Sequence, residues 1–177
     1  MLDLAFGPCL GPARSVSAAE LSFSPQTLQS LTRKTSRTLK RYMSAADSGL
    51  LIPQVIQKHH NILWVVDCDG EIWFALKETG DDRTGGLLYP LPRSPEFRRP
   101  PNHVKLGHPA LVRPQQMARI GGEIIFDPDF GTTSNWVINN ASGRFGIRPH
   151  LKLRHLEAVR DAFSDFGIAL ELEFIEA

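Results

Sequence analysis

Cysteine is scarce in this chain: Cys9 and Cys68 are the only two in 177 residues. That excludes a disulfide scaffold and a four-cysteine zinc site. One bridge could join the pair, and reduced thiols are the expectation. An excess of charge is also missing. Twenty basic residues stand against nineteen acidic ones, for a net charge of +1, so the total implies no long-range field toward nucleic acid. No run approaches the roughly 20 apolar residues that a membrane-spanning helix needs. The first fifteen residues carry Asp3 where a signal peptide would have basic residues, and Gly11-Pro12 breaks the run. Synthesis in the cytoplasm is expected, with or without delivery by a dedicated secretion system that needs no cleaved signal. Phosphate-binding glycine motifs are absent too. Gly121-Gly122 has neither the remaining spacing nor a following helix. His59-His60 has no third ligand nearby, and neighbours on a strand point apart, so no metal site is expected. Asp67 and Asp69 lack the remaining ligands of a calcium loop and are expected to be turn residues.

Apolar residues make up 42% of the chain, enough for one domain with a core. Residues 1–24 are expected to form a loose arm. Ser24-Pro25 is a plausible helix start, because serine caps and proline has no N–H to lose. The spacing of Leu28, Leu31, Thr35, Leu39 and Tyr42 predicts a helix over 25–43, with basic residues filling most of its other face. Ser44 to Gly49 reads as a break, and Leu50 to Ile56 as a short apolar segment. Ile62–Val66 and Glu71–Leu76 flank Asp69-Gly70, a hairpin signal. The Pro/Gly-rich run over 79–109, punctuated by Arg83, Arg93, Arg98 and Arg99, is expected to be irregular, as a wrapped loop, a flexible lid or an anion-binding rim. A second helix is expected at 151–166, and an alternating terminal strand at 168–175. There Glu171 and Glu173 share a face, either as an exposed edge or as an acidic pair in a transfer enzyme. The fold expected is a single α+β domain over 25–177. Its sheet is mostly antiparallel and built from hairpins, with an N-terminal basic amphipathic helix and a C-terminal helix–strand unit.

The richest stretch runs from His108 to Gly146. Ile120–Phe126 and Trp136–Ile138 read as a hairpin joined by a turn through Asp127, Pro128 and Gly131. Its second strand runs into Asn139 to Gly146, a polar loop that can present side chains to a ligand. His108 followed by an apolar pair, then Gly121-Gly122-Glu123 before a strand, then Asn140-Ala141-Ser142-Gly143 before an aromatic, resembles an H…AGE…N-x-SGHY pattern. That pattern belongs to a domain of plant IQ-motif calmodulin-binding proteins and of some bacterial effector- or toxin-like proteins. The resemblance spans about residues 60–146 and implies a shared fold. It places His108, Gly122, Glu123, Ser142 and Gly143 at family-like positions. Arg144-Phe145 stands where His-Tyr is usual, replacing a titratable donor with a fixed cation. No IQ motif is present, so calmodulin binding does not follow.

Two classes of function remain open on these residues. In one, His108, Glu123 and Ser142 are catalytic, while Arg144 and the Gly143 backbone hold a phosphate or carboxylate. A small transferase or hydrolase acting on a nucleotide or nicotinamide-type substrate fits that arrangement. In the other, the chain is an effector-like, partner-binding domain. A protein partner then meets the basic helix or the Pro/Gly-rich loop, and Glu123 pairs with an arginine. The residue pattern specifies no cofactor, no nucleic-acid surface and no membrane segment.

Overall fold

A computed structural model describes residues 1–94, 96–113 and 115–177. Pro95, in the proline-rich run, lies outside the described residues. The fold is α+β, with mostly antiparallel sheets. Short helices α1 (Leu2–Phe6) and α2 (Ala18–Ser22) precede β1 (Gln29–Ser30), α3 (Arg33–Asp47) and α4 (Leu51–Lys58). The strands β2 (Ile62–Val66), β3 (Ile72–Leu76), β4 (Glu78–Asp81), β5 (Leu87–Pro90) and β6 (His103–Lys105) follow. A 3-10 turn at His108–Leu111 leads to β7 (Ile120–Phe126), β8 (Trp136–Asn139), α5 (Leu153–Ser164) and β9 (Glu171–Glu173).

The main sheet has the order β1-β3-β2-β7-β8-β9. All its pairings are antiparallel except the last, where β9 runs parallel to β8 after the crossover through α5. The β2–β3 hairpin turns where Asp69-Gly70 predicts. Asp67 accepts from the Asp69 and Glu71 amides and from Trp73 Nε1, and Gly70 has φ +87°, a conformation glycine adopts without steric cost. Strand alternation splits the core. Trp64, Ile124, Phe126 and Ile138 face α3 and α5, against Leu39, Met43, Leu156 and Phe163. Leu63, Val65 and Ala75 face the other way, against Leu111, Val112 and Phe145. With both faces covered, β2 is buried throughout.

Six expectations are corrected. The helix expected at 25–43 begins at Arg33 and runs to Asp47. Its cap is Thr32, reciprocated by Thr35, because the buried Glu78 carboxylate takes the amides of Gln26 and Thr27. That leaves 29–30 to pair with β3. Leu39 docks the helix with Met43 and Ala46, while Leu28 and Leu31 pack from the chain before it. The break expected from Ser44 to Gly49 shifts to the 48–50 turn, and α4 follows it.

The run at 79–109 holds a three-stranded sheet, β5-β4-β6. Its glycines close the β4–β5 hairpin: Asp81 N donates to Gly86 O and Gly85 N to Asp81 O.

The terminal strand is shorter than 168–175. Glu171 is drawn into the β7–β8 loop by Thr133 and Ser134, and Glu173 accepts from Asn139. Those bonds give both carboxylates a structural occupation in place of an acidic pair.

The N-terminal stretch is docked, not loose. Leu10 and Ala118 exchange two backbone bonds of 3.0 Å. Arg119, 8% exposed, donates to Asp3, to Gly7 O and to Cys68 O. Cys9 and Cys68 form a disulfide, with Cα atoms 5.2 Å apart, where reduced thiols were expected. Pairing of Leu10 with the β7 approach brings Cys9 beside the β2–β3 turn.

Candidate functional site

The site lies on the sheet face opposite α3 and α5. Glu123 sits in register with Leu63 on one side and Asn139 on the other, so its side chain shares the face of Leu63. Two glycines let other chain segments come down onto this face. A Cβ at Gly121 would sit 3.4 Å from His108 Cδ2 and 3.3 Å from Phe145 Cβ. A Cβ at Gly146 would overlap the carbonyls of Asn140 and Gly121. The loop after β8 therefore folds flat across the start of β7. Ser142 Oγ caps that loop by accepting from Phe145 N at 3.1 Å. Asn140 ties it to Gly146 O and to Ile175.

A cavity of about 440 Å³ opens between this loop, the 3-10 turn and the arm. His108, Glu123, Ser142, Gly143 and Arg144 all line it. The ends of antiparallel neighbours supply them, as the hairpin reading expects. Their pairings differ from that reading. Glu123 does not orient His108 and does not meet Arg144. Its carboxylate holds Lys77 at 3.0 Å and Asn61 at 2.5 Å. His108 Nε2 is 2.8 Å from Gly122 O. A carbonyl only accepts, so Nε2 carries the hydrogen and Nδ1 is the ring's acceptor. No hydrogen bond joins His108 to Ser142 among the described residues, so the two do not form a nucleophile–base pair. Arg144 grips the arm, donating to the carbonyls of Arg14 and Ser15 and lying 3.8 Å from Glu20.

Sequence reasoning missed most of the rest of the wall. Arg14 and Glu20 come from the arm, Lys77 from the chain after β3 and Lys105 from β6, while Arg99 comes from the arginine-bearing run already considered as an anion-binding rim. Arg14, Lys77, Arg99, Lys105 and Arg144 give the cavity five cations. Its two carboxylates are already engaged, Glu123 as above and Glu20 by the Gly107 amide at 3.0 Å. Lys105 is exposed as a residue, yet its amine is held below the usual lysine range. Desolvation against the wall is the first cause and the Lys77 charge the second. Burial pushes His108 down to about 4, opposed in part by the Gly122 bond and by Glu123. His108 is therefore neutral at pH 7 and too weak a base for proton transfer tuned to neutrality.

That shift has a stability consequence. Between about 4 and the ordinary 6.5, the unfolded chain binds a proton that folded His108 refuses. Stability is complete above 6.5 and falls as the pH drops toward 4, by about 3 kcal/mol. His108→Gln keeps an N–H near the Nε2 position and removes the titration. Denaturant melts from pH 7.5 to 4.5 should fall less steeply for this variant. Identical slopes would show that His108 does not carry the effect.

No family model, curated protein or solved structure matches the chain.

Proposed function

We propose that the chain is an effector-like, ligand-binding domain whose cavity holds a small molecule carrying a phosphate or carboxylate. The observation that carries this reading is the lining: five cations face one concave space against two carboxylates, which sit beside Lys77 and Arg144, and Arg14, Arg99 and Lys105 have no carboxylate partner among the described ion pairs. Cations gathered without free counter-charges are stabilised by a bound anion. The neutral His108 ring and the buried loop after β8 add acceptors and amides that can orient the rest of such a ligand. Nucleotides and nicotinamide-type compounds combine these features and are the class to test first. The effector-like character rests on the resemblance of residues 60–146.

A second reading, a protein partner at the basic helix, is favoured by one observation. Leu51, Ile52, Val55 and Ile56 of α4 turn outward, with 76%, 76%, 57% and 46% exposure, beside the basic α3. A patch of this kind marks contact surfaces in soluble proteins.

Calorimetric titration with pyrophosphate and a nucleoside diphosphate tests the first reading. Binding should weaken as salt rises. Arg99→Ala should lower affinity by roughly tenfold, the scale of one charge-assisted contact, while its cost to the fold is confined to the exposed bond that Arg99 Nη1 donates to the His103 carbonyl. Arg144→Ala is less clean, because it also frees the carbonyls of Arg14 and Ser15. Absence of binding, or equal binding by wild type and Arg99→Ala, would count against the site.

A further inference from the structure

We propose that α3 and α4 dock the protein on an anionic lipid surface, where the outer face of α4 enters the interface and α3 meets the headgroups. This inference is independent of the cavity, and it gives the α4 face an occupant other than a protein partner. α4 reverses the usual arrangement of an amphipathic surface helix. Its polar Gln57 is buried, 4% exposed, and its outward positions are aliphatic. Leu51, Ile52, Val55 and Ile56 share that outward side, and Leu50 extends it at the N-cap with 64% exposure. On the inner side Gln57 Nε2 donates to the Tyr42 carbonyl at 3.4 Å, which folds α4 back beside the middle of α3. Gln57 Oε1 and Tyr42 Oη are buried there without a partner among the described residues. Burying a glutamine while aliphatic side chains stay outside costs stability in water. Contact of the outer face with an apolar medium offsets that cost.

The charge around that face selects the occupant. Residues 33–58 hold six cations and a single acidic residue, Asp47, whose carboxylate accepts from Asn135 at 3.0 Å. Arg33, Lys34, Arg37, Lys40 and Arg41 are exposed on α3, and none joins an ion pair among the described residues. Aliphatic side chains beside unneutralised cations complement anionic headgroups over acyl chains. A second copy of the chain fits worse, because two-fold pairing of this face sets one basic helix against the other. A stable protein interface also engages about 20–30 residues a side. The five aliphatic side chains of α4 and its N-cap fall short of that, whereas a lipid surface needs no matching shape.

The test is co-sedimentation of the full oxidised chain with lipid vesicles. Phosphatidylcholine vesicles containing about one-third phosphatidylserine should bind the protein, and phosphatidylcholine alone should bind it far less. Added salt should weaken the binding. Arg37→Gln with Arg41→Gln should lower vesicle affinity about thirtyfold, since each basic residue near an anionic surface contributes about fivefold. Leu51→Asp with Ile52→Asp should lower it by roughly a hundredfold or more. That pair should leave the denaturation midpoint in place, because both side chains are already exposed and aspartate suits the first turn of a helix. Arg99→Ala should bind vesicles as wild type does, which separates a lipid surface from a headgroup phosphate held in the cavity. Vesicle binding lost in Arg99→Ala and kept in the aspartate variant overturns the proposal and assigns the lipid to the cavity. No vesicle binding by wild type overturns it outright and leaves the face to a protein partner, a second copy if the aspartates abolish self-association.

Discussion

Replacing Gly122 with alanine should unfold the chain. Gly122 lies in the middle of β7, opposite Trp64 in β2. A Cβ there would overlap the Asn139 carbonyl and reach to 2.8 Å from Asn140 Cα. Both obstacles are backbone, so no rotamer change relieves them. The backbone has little room to retreat, because Glu123 N is held by Asn139 Oδ1 at 3.2 Å and Asn140 N–H groups fix the loop from the far side. Overpacking a core costs about 1–3 kcal/mol when side chains can shift. Here strand and loop must separate, and a loss above about 4 kcal/mol is expected, a large part of a small domain's stability. Gly11→Ala is the control, since nothing lies within 4 Å of its Cβ position. Guanidinium melts of the two variants measure this. A Gly122→Ala midpoint close to wild type would show that the loop after β8 does not cross β7 at this point.

Removing the Cys9–Cys68 bond should have the second largest effect. The bond closes a loop with a sequence separation of 59. Chain-entropy reasoning gives about 4 kcal/mol for a loop of that size. The loss should concentrate on the arm, whose remaining ties include Arg119, the Leu10–Ala118 pair, the Arg144 clamp and Arg148 on the Gly11 carbonyl. Cys9→Ser with Cys68→Ser should lower the denaturation midpoint and raise hydrogen exchange at Leu10 and Ala13. Because Arg14 and Glu20 form part of the cavity wall, anion affinity should fall as well. A dithiol reductant should reproduce both changes in wild type and leave the double variant unaffected. Insensitivity of wild type to the reductant would show that the bond contributes nothing to the folded arm.

Where local pattern decides the structure, the sequence is legible. Ile62 to Leu76 folds as its alternation and Asp-Gly turn predict, because its partners are adjacent in the chain. His108, Glu123 and Ser142 reach one cavity because antiparallel neighbours bring the start of one strand to the end of the other. What was hidden depends on distant partners. The start of α3 is displaced because a carboxylate at Glu78 captures the amides of residues 26 and 27, which no helical periodicity encodes. Lys105 was hidden in a run that proline and glycine mark as irregular, although that run holds the β5-β4-β6 sheet. The alternation of 168–175 predicts a strand but carries no information on direction, so the parallel pairing with β8 came only from the crossover through α5. The arm was read as loose because its anchors are distant in sequence: a disulfide to Cys68, the Arg119 and Arg144 side chains, and the backbone of Ala118.

The most direct test of the account is a heteronuclear NMR titration of the oxidised full chain with pyrophosphate. The account predicts saturable shifts at the amides of Gly107, His108, Ala141, Ser142 and Gly143 and at the side chain of Lys105, all reduced in Arg99→Ala. Shifts confined to Arg37, Lys40 and Arg41 on α3, with the cavity amides unmoved, would contradict it.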